Sequence, residues 1–224
     1  MTTLEQRLQQ LVKGGLGCKT NSVNYMITDH FLDAIVHSVR NNFSDLVVAS
    51  NTSHVPKGLV GSLHKFIPEL IKAEAACKFT GRTALGKHFK YSCYPASELP
   101  NIVDQRNAGR KLDITTIFVQ NTFGHKVPDN KVHHVDLDSV ESGFNQLLED
   151  FDKPTNIGLY FFGNDSSYGT PWEEIEDALN RSFDGTRHNL TVFLPASVVR
   201  DHNFFKRLSL TSVPKYYSKV KNKN

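Results

Sequence analysis

A loop predicted at residues 50–61 combines residue types that suit a bound phosphate or diphosphate. It follows the apolar run DLVVA at 45–49 and leads into an apolar pattern at helical spacing. Small residues let the backbone approach an anion closely, and free N–H groups at a helix amino terminus stabilise its charge. The GK[ST] pattern of a P-loop is missing, and an ordinary strand-to-helix turn explains these residues as well as an anion site does. The residues expected at the anion are Ser50, Asn51, Lys57, Gly58 and Gly61.

A second loop, at residues 163–170, holds the same position relative to its own strand. It follows the run NIGLYFF and precedes a helix whose first turn we expect Thr170 and Glu173 to cap. Ligands of α/β folds bind beyond the carboxyl ends of strands, so two such loops can clasp one ligand if their strands are neighbours. A surface turn of Gly, Asn, Asp and Ser is the alternative. The candidate ligand-binding residues here are Gly163, Asn164, Ser166, Ser167 and Tyr168.

A third strand end, after ITTIFVQ at 114–120, again places an aromatic residue and a glycine, Phe123 and Gly124, beside polar groups. Of the ten histidines, only His54 in the first loop is placed for acid–base chemistry. The adjacent histidines at 133–134 have the spacing of a solvated loop pair. The sequence therefore predicts no metal site and no cofactor.

Alternating strand and helix patterns must position these loops. Runs rich in β-branched and aromatic residues predict six strands, at 22–27, 45–49, 88–94, 114–120, 156–162 and 189–194. Helical spacing predicts helices at 31–39, 59–76 with a break at Pro68, 140–151, and after Thr170. Residues 96–111 are polar and carry turn signals, which indicates a long excursion. Together the elements predict an α/β fold with a largely parallel central sheet.

Composition excludes several classes of protein. The chain has 224 residues, and its 26 basic and 23 acidic side chains leave a net charge of only +3. This balance predicts no membrane partner and no nucleic-acid partner, apart from weak contact through the basic tail. The amino terminus is polar at helical spacing and no apolar run is long enough to cross a bilayer, so we expect an intracellular protein. Three widely spaced cysteines without a CxxC pair are expected to stay reduced.

The same length favours one main domain. Leu4, Leu8 and Leu11 predict a short amphipathic helix, which makes residues 1–20 an amino-terminal helical extension. Residues 21–213 are expected to form a single α/β domain. Residues 214–224 carry four lysines and no acid, and we expect a basic tail there.

The ordered motifs resemble the macro domain family over about residues 22–195. Thr28-Asp29 is similar to the end of the family's first strand, and 45–61 resembles its VVNAAN strand with the glycines that follow. Pro68-Glu69 and the TGRTA stretch at 80–84 resemble further family segments, the latter its TGEA stretch. The segment 115–124 is similar to the family's strand ending in VGP. The stretch SSYGTPWEE at 166–174 resembles GIYGYPLEE.

This resemblance implies a three-layer α/β/α sandwich around a central mixed, largely parallel sheet of about six strands. It also implies binding of ADP-ribose or a related nucleotide, with Asp29 at adenine and the loops at 50–61 and 163–169 at the diphosphate. Small phage and yeast members resemble this chain in their shortened first loop, which implies hydrolysis of ADP-ribose-1″-phosphate or of an ADP-ribosyl linkage. His54 or Asp165 would then be the catalytic acid or base.

Departures from the family pattern leave an alternative open. The second-loop glycines are replaced by Asn164, Asp165, Ser166 and Ser167, and each replaced glycine makes close approach to a diphosphate harder. A non-catalytic nucleotide reader or sponge, or a protein-interaction scaffold with a decayed pocket, is therefore the second hypothesis. The register is a further alternative, because residues 33–38 could supply the family's strand in place of 45–49. We prefer 45–49, which keeps a helix between two strands.

Overall fold

The computed structural model describes residues 23–28, 30–52, 63–77, 81–100, 103–107, 109–120, 135–162, 170 and 172–195. These residues form one six-stranded sheet. Its strands are β1 (Val23–Thr28), β2 (Asp45–Asn51), β3 (His88–Cys93), β4 (Leu112–Gln120), β5 (Asn156–Tyr160) and β6 (Asn189–Pro195). All six predicted strands are confirmed, with ends that differ by no more than two residues.

The order of strands across the sheet is β1-β6-β5-β2-β4-β3. Every neighbouring pair is parallel except β3 with β4, which is antiparallel, so the sheet is mixed. β2 lies in the interior of the sheet and is buried on both faces, which suits its apolar residues LVVA at 46–49. The five parallel strands all end at one edge of the sheet, which we call the carboxyl edge.

Helices cover both faces and produce three layers. The principal helices are α1 (Phe31–Arg40), α2 (Pro68–Ala75), the four-residue α3 (Pro95–Glu98), α4 (Leu137–Glu149) and α5 (Trp172–Phe183). One apolar cluster packs α1, α2 and α3 against the face of the sheet that includes Leu46 and Val48. A second cluster packs α4 and α5 against the face that includes Val47 and Ala49. Successive side chains of β2 point to opposite faces of the sheet, so this strand contributes residues to both apolar clusters.

The structure decides the register in favour of the strand at 45–49. Residues 33–38 belong to α1, and β2 covers Asp45–Asn51. The N-cap of α1 is His30, whose N–H donates to the Asp33 carboxylate at 2.9 Å, so the helix does not need Asp29 as its cap. The amphipathic pattern of residues 31–39, with Ala34, Ile35 and Val39 buried, explains why this segment is a helix and not a strand.

Two other expectations are refined. The predicted helix at 59–76 is a helical turn at 63–66 followed by α2, with Pro68 at the first turn of α2 as expected. The excursion at 96–111 is not wholly irregular, because it contains most of α3 and a 3₁₀ helix at Gln105–Asn107. The sequence did not predict these short helices because they are largely polar and bury few side chains, Pro95 and Ala96 in α3.

Several expectations lie outside the described residues, namely the helix at 3–13, the tail at 214–224 and Cys18. Over the part of the chain that the structure describes, Cys77 and Cys93 form no disulfide. Among the described residues, no helix is long and apolar enough to cross a membrane.

Candidate functional site

The three loops singled out by the sequence follow three strands that are consecutive in the sheet. β5 pairs with β2, and β2 pairs with β4, all parallel. The strands that precede segments 163–169, 53–62 and 121–134 therefore end side by side at the carboxyl edge. The condition for a two-loop clasp, that the strands before the first and second loops are neighbours, is met. The strand before the third loop lies directly on the other side of β2.

The ends of β2 and β4 are held together just before their loops begin. The register shifts between Ser50 and Asn51, so that Asn51 pairs with Gln120, two residues after the partner of Ser50. One extra residue of β4 is accommodated here, which is a β-bulge, a feature that often re-aims side chains beside functional sites. The Thr52 N–H then donates to the Gln120 carbonyl at 2.9 Å. Loops one and three thus start from a fixed pair of strand ends.

Buried polar side chains are concentrated at this edge. Thr28, Ser50, Thr52 and Gln120 are each buried, although each lies within three residues of a strand's carboxyl end. The Thr28 hydroxyl has no hydrogen-bond partner among the described residues. Buried polar groups usually have hydrogen-bond partners. The polar side chains at this edge therefore distinguish it from the apolar interior of the sheet.

An aromatic cluster fixes both ends of the second loop. Phe161 and Phe162 immediately precede residues 163–169, and Trp172 begins α5 two residues after Thr170. The Trp172 ring lies 4.8 Å from Phe161 and 6.3 Å from Phe162, measured between ring centroids. Trp172 is fully buried. The indole therefore packs against the entry of the loop while its own backbone forms the exit, and the separation of the two ends is set by close packing.

Hydrogen bonds connect this cluster to β1. Trp172 Nε1 donates to the Tyr25 hydroxyl at 3.1 Å, and that hydroxyl donates a very short hydrogen bond to Glu176 on α5. Burial, together with the charge of Glu176, raises the pKa of Tyr25 far above its ordinary value. The phenol consequently stays protonated and remains a donor. This buried triad joins β1 to α5, the helix that follows the second loop.

A further hydrogen bond joins the segments that end loops two and three. The Val135 N–H donates to the Thr170 hydroxyl at 2.8 Å, and both residues are buried. Val135 is the first described residue after 121–134, and Thr170 is the first after 163–169. The sequence predicts only a capping role for Thr170, whose proposed partner Glu173 has no described side chain.

A buried histidine–carboxylate pair follows the first loop. His64 Nε2 lies 2.7 Å from Glu74 Oε2, and both side chains are at least 92% inaccessible, with 8% and 5% exposed. The pair joins the helical turn at 63–66 to α2. The sequence analysis named His54 and did not name His64. Glu74, the partner of His64, is ten residues away, which is not a spacing that brings two side chains together on one helix.

A second polar cluster lies at the opposite edge of the sheet. Asp45, at the start of β2, is fully buried and accepts a hydrogen bond from Thr115 at 2.6 Å. Lys90 lies 3.8 Å from Asp45 and 2.7 Å from Asp150. A cleft of about 500 Å³ beside Asp45 is lined also by Arg110 and Lys111. The strand direction places this cluster away from the three loops.

The structure describes two of the predicted site residues, Ser50 and Asn51, and brings both to the carboxyl edge at the end of β2. The others belong to segments outside the described residues and stay predictions. They are Asp29, His54, Lys57, Gly58, Gly61, Phe123, Gly124, Gly163, Asn164, Asp165, Ser166, Ser167 and Tyr168. Within the described ranges, no group of three potential metal ligands comes together.

Comparison with solved structures identifies the architecture. The macrodomain of Mycobacterium tuberculosis DarG superposes with a TM-score of 0.50 at 17% identity, over 77% of this chain and 97% of that chain. The fold is that of a macrodomain. A protein of unknown function from Bacteroides thetaiotaomicron superposes on this chain with a TM-score of 0.51 at 14% identity, over 78% of this chain and 99% of that one. No family model and no curated protein sequence matches this chain.

Proposed function

We propose that this macrodomain binds ADP-ribose or a closely related nucleotide across the carboxyl edge of its sheet. One observation carries the proposal: the loops that resemble the phosphate-binding loops of macro domains follow adjacent parallel strands, β5 and β2. Backbone N–H groups of two neighbouring loops can surround a diphosphate, whereas a single loop offers donors from one side only.

The length of the edge suits an elongated ligand. β1, whose end carries Asp29, is separated from β2 by β6 and β5. Three strand spacings of about 4.8 Å place the ends of β1 and β2 about 14 Å apart. A nucleotide with adenine at Asp29 and its diphosphate between β5 and β2 spans such a distance, and an isolated phosphate does not. Asp29 would accept a hydrogen bond from the adenine amino group, which guanine lacks at that position.

Hydrolysis would use the side chains of the two phosphate loops. His54 or Asp165 would remove a proton from a water molecule as that water attacks the phosphorus of a terminal phosphate, and the bond from phosphorus to the ribose oxygen would break. Lys57 would neutralise charge on the phosphate. The same base could activate water for attack on an ADP-ribosyl linkage.

Binding without turnover is the second candidate. Residues 164–167, Asn-Asp-Ser-Ser, replace the glycines expected in the second loop, and their side chains restrict the approach of a diphosphate to the backbone. A reader or sponge needs only affinity and tolerates such a change better than an enzyme that must align water with phosphorus. A protein-interaction scaffold would show neither affinity nor turnover.

Calorimetric titration with ADP-ribose tests the pocket. We expect binding by the wild type, and we expect both Gly58→Glu and Ser166→Glu to abolish it, since each carboxylate would place negative charge where the N–H donors face phosphate. Ser92→Glu is the matched control, because Ser92 is exposed on β3 at the opposite edge, beside Asp113. Circular dichroism checks that the three variants fold.

Absence of wild-type binding at millimolar ADP-ribose would refute the nucleotide proposal and favour the scaffold. Binding that survives either glutamate variant would refute the two-loop clasp alone. Release of inorganic phosphate from ADP-ribose-1″-phosphate separates the enzyme from the reader.

A further inference from the structure

The cleft beside Asp45 lies at the edge of the sheet opposite the carboxyl edge, and it is lined by residues that the structure describes. Its volume of about 500 Å³ falls within the range of roughly 300–1,000 Å³ that is usual for small-molecule sites. Asp45 is the first residue of β2 and Asn51 is the last. At about 3.3 Å per residue, the two ends of β2 are about 20 Å apart. The cleft is therefore separate from the proposed nucleotide site.

The Asp45 carboxylate has unused capacity to accept hydrogen bonds. Its Oδ1 atom accepts the Thr115 hydroxyl at 2.6 Å and lies 3.8 Å from the Lys90 ammonium. Its Oδ2 atom is buried and has no hydrogen-bond partner among the described residues. Most buried polar atoms do have a partner, and a carboxylate can accept about four hydrogen bonds. A ligand that carries an N–H donor would supply what this carboxylate lacks.

Arg110 offers donors at the same cleft. Its Nη1 atom donates to the carbonyl oxygens of Val39 at 2.9 Å and Arg40 at 3.3 Å, which anchors the guanidinium at the end of α1. The other N–H groups of Arg110 have no hydrogen-bond partner in the described part of the chain. A guanidinium matches the planar geometry of a carboxylate and can bind it through two parallel hydrogen bonds. Arg110 thus suits an acidic group on a ligand.

The charges of the cleft balance. It is lined by two carboxylates and two cations, namely Asp45, Asp113, Arg110 and Lys111. A ligand with one charge of each sign therefore fits better than a simple anion or a simple cation. A divalent metal ion fits poorly, because the Lys111 ammonium is 3.0 Å from Asp113 and the Lys90 ammonium is 3.8 Å from Asp45. Both ammonium groups would repel a metal cation.

Apolar side chains complete the lining. Val39, Phe43 and Phe151 line the cleft together with the charged groups. Aromatic rings pack well against other rings in edge-to-face arrangements, so this part of the cleft suits a hydrocarbon or aromatic group on the ligand.

We propose that this cleft is a second ligand site, which binds a free amino acid with an apolar side chain. The ammonium of the ligand binds at Asp45 and Asp113, and its carboxylate binds Arg110. Its side chain packs beside Phe43 and Phe151. The proposal does not depend on nucleotide binding, because no residue of the cleft belongs to the carboxyl edge.

The ligand must exchange places with a group of the protein, because the Asp45 side chain has no exposed area. Lys111 is suited to this exchange. Its ammonium lies 3.0 Å from Asp113, its side chain is 49% exposed, and its charge acts on Asp45. An exposed ion pair contributes only about 0–1 kcal/mol, so it is easily broken. The ligand's ammonium would replace one cation by another beside the same two carboxylates.

Calorimetric titration of the full chain with L-phenylalanine tests the ligand class. We expect binding at millimolar concentration. The controls are 2-phenylethylamine, which lacks the carboxylate, and 3-phenylpropanoate, which lacks the ammonium, and each should bind at least about tenfold more weakly. No binding of L-phenylalanine at millimolar concentration would overturn the proposal, as would equal binding of either control. Competition between ADP-ribose and L-phenylalanine would also overturn it, because it would place both ligands at one site.

Substitutions locate the site. Asp45→Asn and Arg110→Gln should each weaken L-phenylalanine about tenfold or more, whereas Lys111→Met should strengthen it by removing the competing ammonium. Asp104→Asn and Arg106→Gln are the matched controls, because these residues form an exposed ion pair of 3.5 Å on the same connection. Both controls should bind as the wild type does. Unchanged affinity in Asp45→Asn and Arg110→Gln, with folding verified by circular dichroism, would overturn the proposal.

The pH dependence of affinity identifies the carboxylate. Burial raises the pKa of Asp45 to about 6. The charged groups near it are Lys90 on β3, Asp113 on β4 and Lys111 before β4, with Asp150 beside Lys90. As pH falls through about 6, Asp45 takes up a proton and loses its charge, so we expect the affinity for L-phenylalanine to fall. Asp45→Asn should remove this dependence. The same pH profile in the wild type and in Asp45→Asn would overturn the assignment of the ammonium to Asp45.

Discussion

Gly143 on α4 lies so close to Ile117 on β4 that a β-carbon on the glycine would sit 2.4 Å from Ile117 Cγ2. This contact sets the distance between α4 and the sheet, and it does so on the strand that carries the third loop. Real β-carbons do not approach other atoms so closely, so any larger residue at 143 must displace the helix or the isoleucine.

Gly143→Ala should therefore destabilise the protein despite the better helix propensity of alanine. Overpacking costs about 1–3 kcal/mol, and the propensity gain of about 1 kcal/mol offsets part of it. We expect a net loss of up to about 2 kcal/mol in the free energy of unfolding, measured by chemical denaturation. The double variant with Ile117→Ala should lose less than the sum of the two single variants. If the losses of the two single variants simply add in the double variant, the contact between residues 143 and 117 does not set the distance between α4 and the sheet.

Tyr25→Phe should be costly although it removes only one oxygen atom. It leaves the buried Glu176 carboxylate and the Trp172 indole N–H without their tyrosine partner, at an expected cost of about 1–3 kcal/mol in the free energy of unfolding. Tyr91→Phe is the control, since Tyr91 donates to Glu98 at 3.1 Å in a partly exposed position. Equal losses for the two variants would contradict the special role of the buried triad.

Asp45 should make stability depend on pH in the direction opposite to most carboxylates. Burial raises the pKa of Asp45 from its ordinary value of 3.8 to about 6, and the hydrogen bond from Thr115 and the charge of Lys90 partly counter this rise. Between about pH 4 and pH 6 the folded state keeps a proton that the unfolded state has released, so this group's contribution to stability falls as pH rises. Asp45→Asn should remove that decline and raise the free energy of unfolding by about 1–3 kcal/mol at pH 7.5.

Asp150→Asn is the control of opposite sign. Burial raises the pKa of Asp150, but Lys90 and His88 together lower it below its ordinary value. Its stabilising effect is present above the unfolded pKa and is lost as pH falls, so the asparagine variant should be less stable at neutral pH. Thermal melting from pH 4 to pH 8 compares the three proteins. A wild-type profile that rises steadily through pH 4–6 and is unchanged in Asp45→Asn would contradict the assignment.

Asp29→Ala should weaken ADP-ribose binding by about 10- to 100-fold, because a hydrogen bond to a charged group contributes about 1.5–3 kcal/mol. Asp33→Ala is a neighbouring control, since Asp33 accepts the His30 N–H at the start of α1 and should affect stability more than affinity. Calorimetric titration of both variants with ADP-ribose measures the two affinities. Unchanged affinity in Asp29→Ala would mean that adenine lies elsewhere.

The elements of the fold could be predicted from the sequence because each depends on neighbouring residues. The run LVVA at 46–49 is apolar without interruption and became the doubly buried centre of β2, while the 3.6-residue spacing of Val140, Phe144 and Leu147 became the buried face of α4. The short helices within 96–111 escaped because they bury too few apolar side chains to impose a periodic pattern. Ser50 and Asn51, which we predicted to begin the first loop, instead form the last two residues of β2.

The sequence by itself determined which strands and helices form and which loops follow the strands. Only the tertiary structure decided that β5, β2 and β4 are adjacent, that Tyr25 meets Glu176 across 151 residues, and that Val135 meets Thr170. Local periodicity records which side of an element is apolar, but it does not record which other element will cover that side. The partners of a buried polar group are chosen when the layers pack, because only then is water removed and each donor required to find an acceptor.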